Sequence, residues 1–506
     1  MNNKYKPTIG LEIHAELKTK TKMFCNSKND PEEKSPNVNI CPVCMAHPGT
    51  LPTINKEAVK SVLKVGVALN GKIADFSEFD RKNYFYPDIP KGYQISQYKY
   101  PLVSGGELVG VKVTRIHLEE DTAKTIHDRG DFSLVDYNRA GVPLMELVTE
   151  PVIEDGETAV KFAKELQLIL KYLNVSFADM EKGQMRVEAN ISVAPKPQMN
   201  ADDTQINPEG KQASYRAGVD VQKVLGTKVE VKNLNSFRSV GLAIDFEIKR
   251  QIEILKRGES VKHETRGWDD KKQITFSQRE KELSHDYRYF PEPDLPKLKL
   301  SEIKEFSKKS LLKEMSELPS GKRERYKKEY KIKNEDIEIF IINKELGNFF
   351  EKTIKFFDND KNLIKLTSNY ITSDIAGFSK NSDNAVGKIE PKYLSELIKM
   401  ISTNILSSRG AKNILLIMYK NGGSPKKIAK ENNLLQISDK KELENIVKEI
   451  IKDNPEVVEE YKKGKKSSLQ YLIGQGMKKS NGSANPEVLK EIFESILKSD
   501  FNNIEV

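Results

Sequence analysis

The chain has one tryptophan, three cysteines and six histidines among 506 residues. Three cysteines are too few for a disulfide-stapled secreted scaffold. No run approaches the ~18 apolar residues of a membrane span, and the opening MNNKYKPTIGLE lacks the basic and apolar regions of a signal peptide. A cytoplasmic protein with no membrane partner is therefore expected. Neither charge sign is scarce: 83 Lys and Arg face 74 acids, for a net charge of +9, which permits a polyanionic partner without demanding one. A P-loop is missing as well, because GQGMKKS (474–480) neither follows a strand nor matches G-x-x-x-x-G-K-[ST].

What is present divides by texture. A chain this long exceeds the roughly 250–300 residues at which single cores stop growing, so several domains are expected. Up to about residue 290 the sequence mixes Gly, Pro, aromatics and short alternating runs. YFPEPDLPKLKL (289–300) then reads as a proline-broken linker into Lys-, Glu-, Ile- and Leu-rich helices, with a second break near SDNAVGKIEPKY (382–393). The expected fold is an α+β N-terminal domain on a largely antiparallel sheet (1–293), followed by two all-α domains (294–390 and 391–506). In the final helix Asn485 is the N-cap candidate, Pro486 suits the first helical position, and Val488, Leu489, Ile492, Phe493, Ile496 and Leu497 form one stripe.

Three N-terminal runs share a polar face of one kind. In GLEIHAEL (10–17), alternation opposes Glu12, His14 and Glu16 to Leu11, Ile13, Ala15 and Leu17. RIHLEED (115–121) opposes Arg115, His117 and Glu119 to Ile116 and Leu118, and MRVEANISV (185–193) opposes Arg186, Glu188 and Asn190 to Val187, Ala189 and Ile191. Any single such strand is most simply half-buried with its polar side in water. Three together, rich in Glu, His, Arg and Asn, suit a divalent metal on carboxylates and arginines on phosphate oxygens. Glu120 falls opposite Glu119 unless the strand ends or bulges there, so both remain candidates.

Other groups fit phosphate or nucleic acid. EFDRKNYFYPDIPKGYQISQY (78–98) interleaves Arg81, Lys82 and Lys91 with tyrosines, which suits a nucleotide or an RNA end and equally an ordinary loop packed on the sheet. VEVKNLNSFRSV (229–240) reads as strand, turn and helix, with Ser236 as N-cap. Lys232 and Arg238 flank that helix start, which could hold an anion or simply be capped. Near the C-terminus Lys462, Lys463, Lys465, Lys466, Lys478 and Lys479 cluster at helix ends, as phosphate contacts or as a solvated face. Cys41 and Cys44 form C-P-V-C with Cys25 upstream and His47 nearby. Structural zinc wants four ligands, so free thiols are the expectation and zinc the alternative. A redox C-x-x-C lacks its usual βαβ setting.

Taken in order, GLEIHAEL, NICPVCMAHPGTLPTIN, DRKNYFYPDIPKGYQISQY, HLEEDTAK, DYNRAGVPLMELVTEP, MRVEANISV, KNLNSFRSV, DYRYFPEPDLP, LPSGKRERY and SSRGAKNILLIMYKNGG resemble the GatB family, one of the subunit families of the aspartyl/glutamyl-tRNA amidotransferases, over essentially the whole chain. The resemblance implies a heterotrimer with an amidase subunit and a small linking subunit, acting on misacylated Glu-tRNA(Gln), Asp-tRNA(Asn) or both. It implies a cradle domain that binds ATP, magnesium and the aminoacylated end, and a helical tail that grips the tRNA body through the lysine cluster. ATP would activate the side-chain carboxylate as an acyl phosphate, and ammonia would give the amide. On that reading Glu12, His14, Glu120, Lys82 and Arg81 are catalytic, and Glu12, His14, Glu120, Glu188 and Glu146, with Glu119, hold the metal. Arg115, Arg186, Lys232 and Arg238 meet phosphate. Relatives that carry zinc have C-x-C at the first cysteine cluster; FCNS keeps only Cys25, so zinc is not expected. The chain has no Gly/Ser-rich amidase signature, so ammonia would come from the partner. The competing readings are a non-catalytic tRNA-binding scaffold and a carboxylate-activating ligase for a small molecule.

Overall fold

The computed structural model describes residues 4–127, 130–196, 225–280, 287–378, 384–435, 440–480 and 484–502. Residues 382–383 of the second break, Asp286, and residues 481–483 after the last lysines lie outside them. The chain forms two compact units, Met1–Leu318 and Pro319–Val506.

The first unit is built on a ten-stranded sheet. Its strands run Ile274–Glu280, Glu264–Asp269, Val229–Leu234, Met185–Pro195, Tyr5–Glu16, Pro143–Thr149, Val111–Glu120, Val103–Ser104 and Lys72–Ile73, with Glu107–Leu108 paired to Val111–Glu120. Every pairing is antiparallel except Val229–Leu234 with Glu264–Asp269, which the helix Phe237–Lys256 connects. The three runs singled out by their alternation are all strands of this sheet, and the first strand is central.

Alternation decides which face is which. Ile9, Leu11, Ile13 and Ala15 are fully buried in one core with Ala159, Phe162, Ala163 and Leu166 of the helix Gly156–Tyr172 and with Val240, Ala243 and Ile244 of Phe237–Lys256. Helix Lys56–Ala68 contributes Val59, Val62 and Leu63 to the same core. Ser236 caps the start of Phe237–Lys256, its Oγ accepting from the Ser239 N–H at 3.0 Å. Two helices approach closely at Gly156, where a Cβ would come 2.6 Å from the Gly241 carbonyl oxygen; only glycine permits that backbone contact.

The segment read as a proline-broken linker belongs to this unit. Phe290–Pro291 pairs with the strand Asp80–Asn83, and Leu298–Lys299 pairs with Phe76–Ser77. Pro291 ends the first of these short ladders, and Pro293 and Pro296 fall between the two, where no N–H is required. The second unit is helical throughout its described residues. Within it, Pro391–Ser402 packs on Lys344–Ile354 and Lys361–Asn369. The last four helices, Lys440–Asp453, Pro455–Lys462, Lys466–Lys479 and Pro486–Asn502, enclose a core of Leu443, Val447, Leu472, Leu489 and Phe493. Asn485 caps the final helix, accepting from Glu487 N–H at 2.9 Å. None of the described helices is long and apolar enough to cross a membrane.

At the far edge of the sheet, Glu247 is fully buried and accepts from Arg250 at 2.8 and 2.6 Å, Gln251 at 2.9 Å and Thr275 at 2.9 Å. Arg266 bridges to Glu264 at 2.6 Å. Burial works to raise the Glu264 carboxyl, but Ser277, Arg266 and Arg250 hold it below its ordinary value. That stabilisation is complete above the ordinary carboxylate range and is lost as pH falls through the depressed pKa. Removing one partner leaves a buried charge under-compensated, so Arg250→Met should cost roughly 2–4 kcal/mol. Urea midpoints followed from neutral pH into acid should fall in the wild type and fall less steeply in Glu264→Gln.

Candidate metal and phosphate site

Strand register assembles the polar face row by row. His14 lies opposite Arg186 on one side and Glu146 on the other, and Glu146 lies opposite His117, so Arg186, His14, Glu146 and His117 cross four strands in line. In the next row Glu12 sits opposite Glu188, and Arg115 opposite Val148. Glu119 and Glu16 flank Leu144 in the row beyond His14. All of these point away from the helix-covered core, because residues directly opposite share a face.

The imidazole of His14 is the meeting point. Its Nε2 is 3.4 Å from Glu146 Oε2, 3.6 Å from Glu119 Oε1 and 3.8 Å from Glu12 Oε1. His117 Nε2 reaches the same Glu146 oxygen at 3.4 Å, and Arg115 Nη2 the other at 3.6 Å. Burial alone would raise Glu146, yet the charge and hydrogen bond of His117, then those of His14, hold it well below the carboxylate range. Burial would lower His14, but the Glu146 hydrogen bond and the charges of Glu146 and Glu119 lift it to about 9. Glu12 is raised to about 7, first by burial and then by repulsion from Glu146. One face thus concentrates negative charge around a histidine.

Lys82 enters from the strand Asp80–Asn83. It is raised against the effect of burial chiefly by the charge of Glu119, with Tyr289, Glu146 and Tyr84 adding to it, and its Nζ lies 5.3 Å over the Tyr287 ring. Glu12, His14 and Glu146 form one group of donor atoms within 4.8 Å of one another, and His117, Glu119 and Glu146 form a second. Carboxylate oxygens with one imidazole suit a hard divalent cation. Residues of this face also carry buried atoms without a hydrogen-bond partner: Arg115 Nε, His117 Nδ1 and Asn190 Oδ1. A magnesium-sized ion and phosphate oxygens fit that donor set.

Several expected residues stand elsewhere. Glu120 continues the strand without a bulge and therefore points to the opposite face, where it accepts from Lys91 at 2.7 Å and from Ile95 N–H at 2.9 Å. Arg81, one residue from Lys82, is turned outward by the same alternation. It is clamped by Glu292 through two 2.7 Å bonds and stacks on Tyr93. Neither joins the histidine group. Arg238 is exposed, and the helix start beside it meets a carboxylate: Ser239 Oγ donates to Asp270 at 2.9 Å. An anion is not favoured there.

Arg186 does lie on the face, with Nη2 donating to Asp121 at 2.8 Å. Lys232 bridges to Glu188 at 3.0 Å, close enough to Glu12 for each to act on the other. Of the tail lysines, Lys462, Lys465 and Lys479 pair with Glu459, Glu460 and Glu449 respectively. Cys25, Cys41 and Cys44 converge, while His47 is exposed and outside their group. Sequence reasoning left out His117 as a site residue, although it shares the alternation of Arg115 and Glu119. It also missed Glu16, which burial and then the charge of Asp121 raise to about 8.

The family described as GatB/GatE catalytic domain matches residues 7–304, and the one described as GatB domain matches residues 348–497. The GatB subunit of the aspartyl/glutamyl-tRNA(Asn/Gln) amidotransferase of Thermotoga maritima is 42% identical over 512 residues, spanning 98% of this chain and 100% of its own. Its counterpart of the same name from Crocosphaera subtropica is 40% identical over 519 residues, spanning 98% of each. That of Caldanaerobacter subterraneus is 42% identical over 507 residues, spanning 98% and 99%.

Titrating the purified chain with manganese, read by electron paramagnetic resonance of the free ion, should reveal a site that Glu146→Gln weakens roughly 10–100-fold. Glu120→Gln should leave that binding unchanged.

Proposed function

The chain belongs to the GatB family, and on that premise we propose that it is the amidotransferase subunit on which a tRNA-borne carboxylate is activated by ATP and converted to an amide. The substrates of this reading are Glu-tRNA(Gln), Asp-tRNA(Asn) or both. The observation that carries it is the convergence of Glu12, Glu119 and Glu146 on His14, with Lys82 alongside, on one face of the sheet.

Phosphoryl transfer to a carboxylate needs no protein nucleophile, since the substrate oxygen attacks the γ-phosphorus and ADP leaves. Ammonia then attacks the acyl carbon, phosphate departs, and a proton is lost from nitrogen. The protein positions these groups and neutralises charge. Glu12, His14, Glu119 and Glu146 would hold magnesium, with His117 orienting Glu146; the ion would screen the phosphate oxygens. Lys82, on which Glu119 and Glu146 act, would stabilise the charge that develops on those oxygens. Arg115 and Arg186 would bind phosphate, with Glu188 and Lys232 at the rim near Glu12.

The division of labour follows the family. On this reading the first unit, to Leu318, is the cradle, the helices that follow form a helical domain to about residue 390, and 391–506 are a tail that meets the tRNA body through Lys462, Lys463, Lys465, Lys466, Lys478 and Lys479. Ammonia comes from an amidase held in the complex by a small linking protein.

The test is amide formation on purified Glu-tRNA(Gln) by this chain co-expressed with its two partners, with ATP, magnesium and ammonium chloride replacing glutamine. Gln-tRNA should form only with ATP, and Glu12→Gln should lower the rate roughly 100-fold or more while tRNA binding persists. An assembled complex that binds tRNA and yields product on neither substrate would instead be a scaffold.

A further inference from the structure

The cysteines lie outside the chemistry above, and their surroundings are particular. The sulfurs of Cys25, Cys41 and Cys44 lie within 4.8 Å of one another. Beside them Lys22 is fully buried, with Nζ 3.9 Å from Cys44 Sγ and donating to the Tyr137 carbonyl at 3.1 Å. Burial pushes the Lys22 ammonium below its ordinary range, and the groups that act against that are the three cysteines, Cys44 first. Cys44 Sγ accepts from the Cys41 N–H at 3.1 Å and has Ser27 Oγ at 3.9 Å. Structural zinc takes four ligands, and the three sulfurs supply one too few.

We propose that Cys44 is a thiolate oxidised by peroxide, that Cys25 resolves it to a disulfide, and that this pair forms a reversible oxidation site in the wall shared with Glu120. Access is provided by a cavity of about 210 Å³ lined by Cys25, Cys44, His47, Lys91 and Glu120. The hydrogen bond from Cys25, together with Lys22, brings the Cys44 thiol down to about 4 against the effect of burial. That bond and burial push Cys25 up, so it keeps the proton. A thiolate beside a thiol is the arrangement a peroxide-reactive pair needs.

In the first step the Cys44 sulfur attacks a peroxide oxygen, the O–O bond breaks and hydroxide leaves; sulfur is oxidised to sulfenic acid and the peroxide is reduced. In the second, Cys25 sulfur attacks Cys44 sulfur, the S–O bond breaks, and water leaves with the Cys25 proton. The disulfide removes the counter-charge of Lys22. Gly141 (φ +83°) sits where this is felt: a Cβ there would lie 3.6 Å from both the Cys44 Cβ and the Lys22 Cδ, and 3.9 Å from Glu120 Oε2.

Treating the full chain with hydrogen peroxide, then counting thiols and measuring intact mass, tests this. Two of the three thiols should disappear with loss of two hydrogens, a Cys25–Cys44 linked peptide should appear, and dithiothreitol should reverse both. Cys25→Ser should stop at a sulfenic acid trapped by a 1,3-dione, and Lys22→Met should slow oxidation roughly tenfold at neutral pH. The Cys25→Ser arm stands independently if Lys22→Met fails to fold. Three thiols surviving the peroxide, a Cys41 crosslink, or one equivalent of zinc masking the thiols until chelation would each overturn the proposal.

Discussion

Glu146 between two imidazoles is the contact on which the site depends. A carboxylate buried on a sheet can stay ionised only if something opposite it is positive or donates hydrogen bonds. Here the two neighbours directly across the ladder, His14 and His117, meet that need from separate strands. Because side chains alternate with period two, a one-residue slip of the first strand would exchange this face for Leu11, Ile13 and Ala15. The apolar packing of the other side against three helices therefore fixes the chemistry of this side. Core and site are two consequences of one register.

Adjacent residues with similar chemistry separate sharply under that constraint. Glu119 and Glu120 follow each other in sequence, as do Arg81 and Lys82. In each pair one member joins the histidine group and the other anchors a loop: Glu120 holds Lys91 and the Ile95 N–H, and Arg81 holds Glu292. The anchors are not idle, because each ties a segment that bears on the site. Arg81 secures the chain leading to Tyr287 and Tyr289, the rings beside Lys82.

The polar alternation of three runs and the apolar stripes of the helices were legible because period alone encodes them. The strand carrying Glu12 and His14, the cap at Ser236 and the final helix behind Asn485 follow from local pattern. Glu119 against Glu120 was not legible, since it turns on whether a strand ends or continues, which the pairing of Glu120 with Pro143 decides. Arg81 was misplaced because its partner Glu292 is 211 residues away. The prolines of 289–300 suggested a linker, and only the edges of Phe76–Ser77 and Asp80–Asn83 reveal that this chain has somewhere to pair. Lys22 carries no motif; its meaning arises where Cys44 meets it, with Cys25 and Cys41 close by.

The position of the first strand also bears on how the protein is made. Tyr5–Glu16 precedes every other strand of the sheet in the chain, yet its neighbours are Pro143–Thr149 and Met185–Pro195. Both edges of this strand stay unpaired until most of the sheet has been synthesised, and non-local pairing of this kind is slow and exposed to misassociation. The strands that carry Glu12, His14, His117, Glu119 and Glu146 have all been made once Thr149 is in the chain, whereas Arg186 and Glu188 arrive only with Met185–Pro195. A nascent chain that stops between the two carries the residues of the histidine group without the arginine and glutamate of the neighbouring strand.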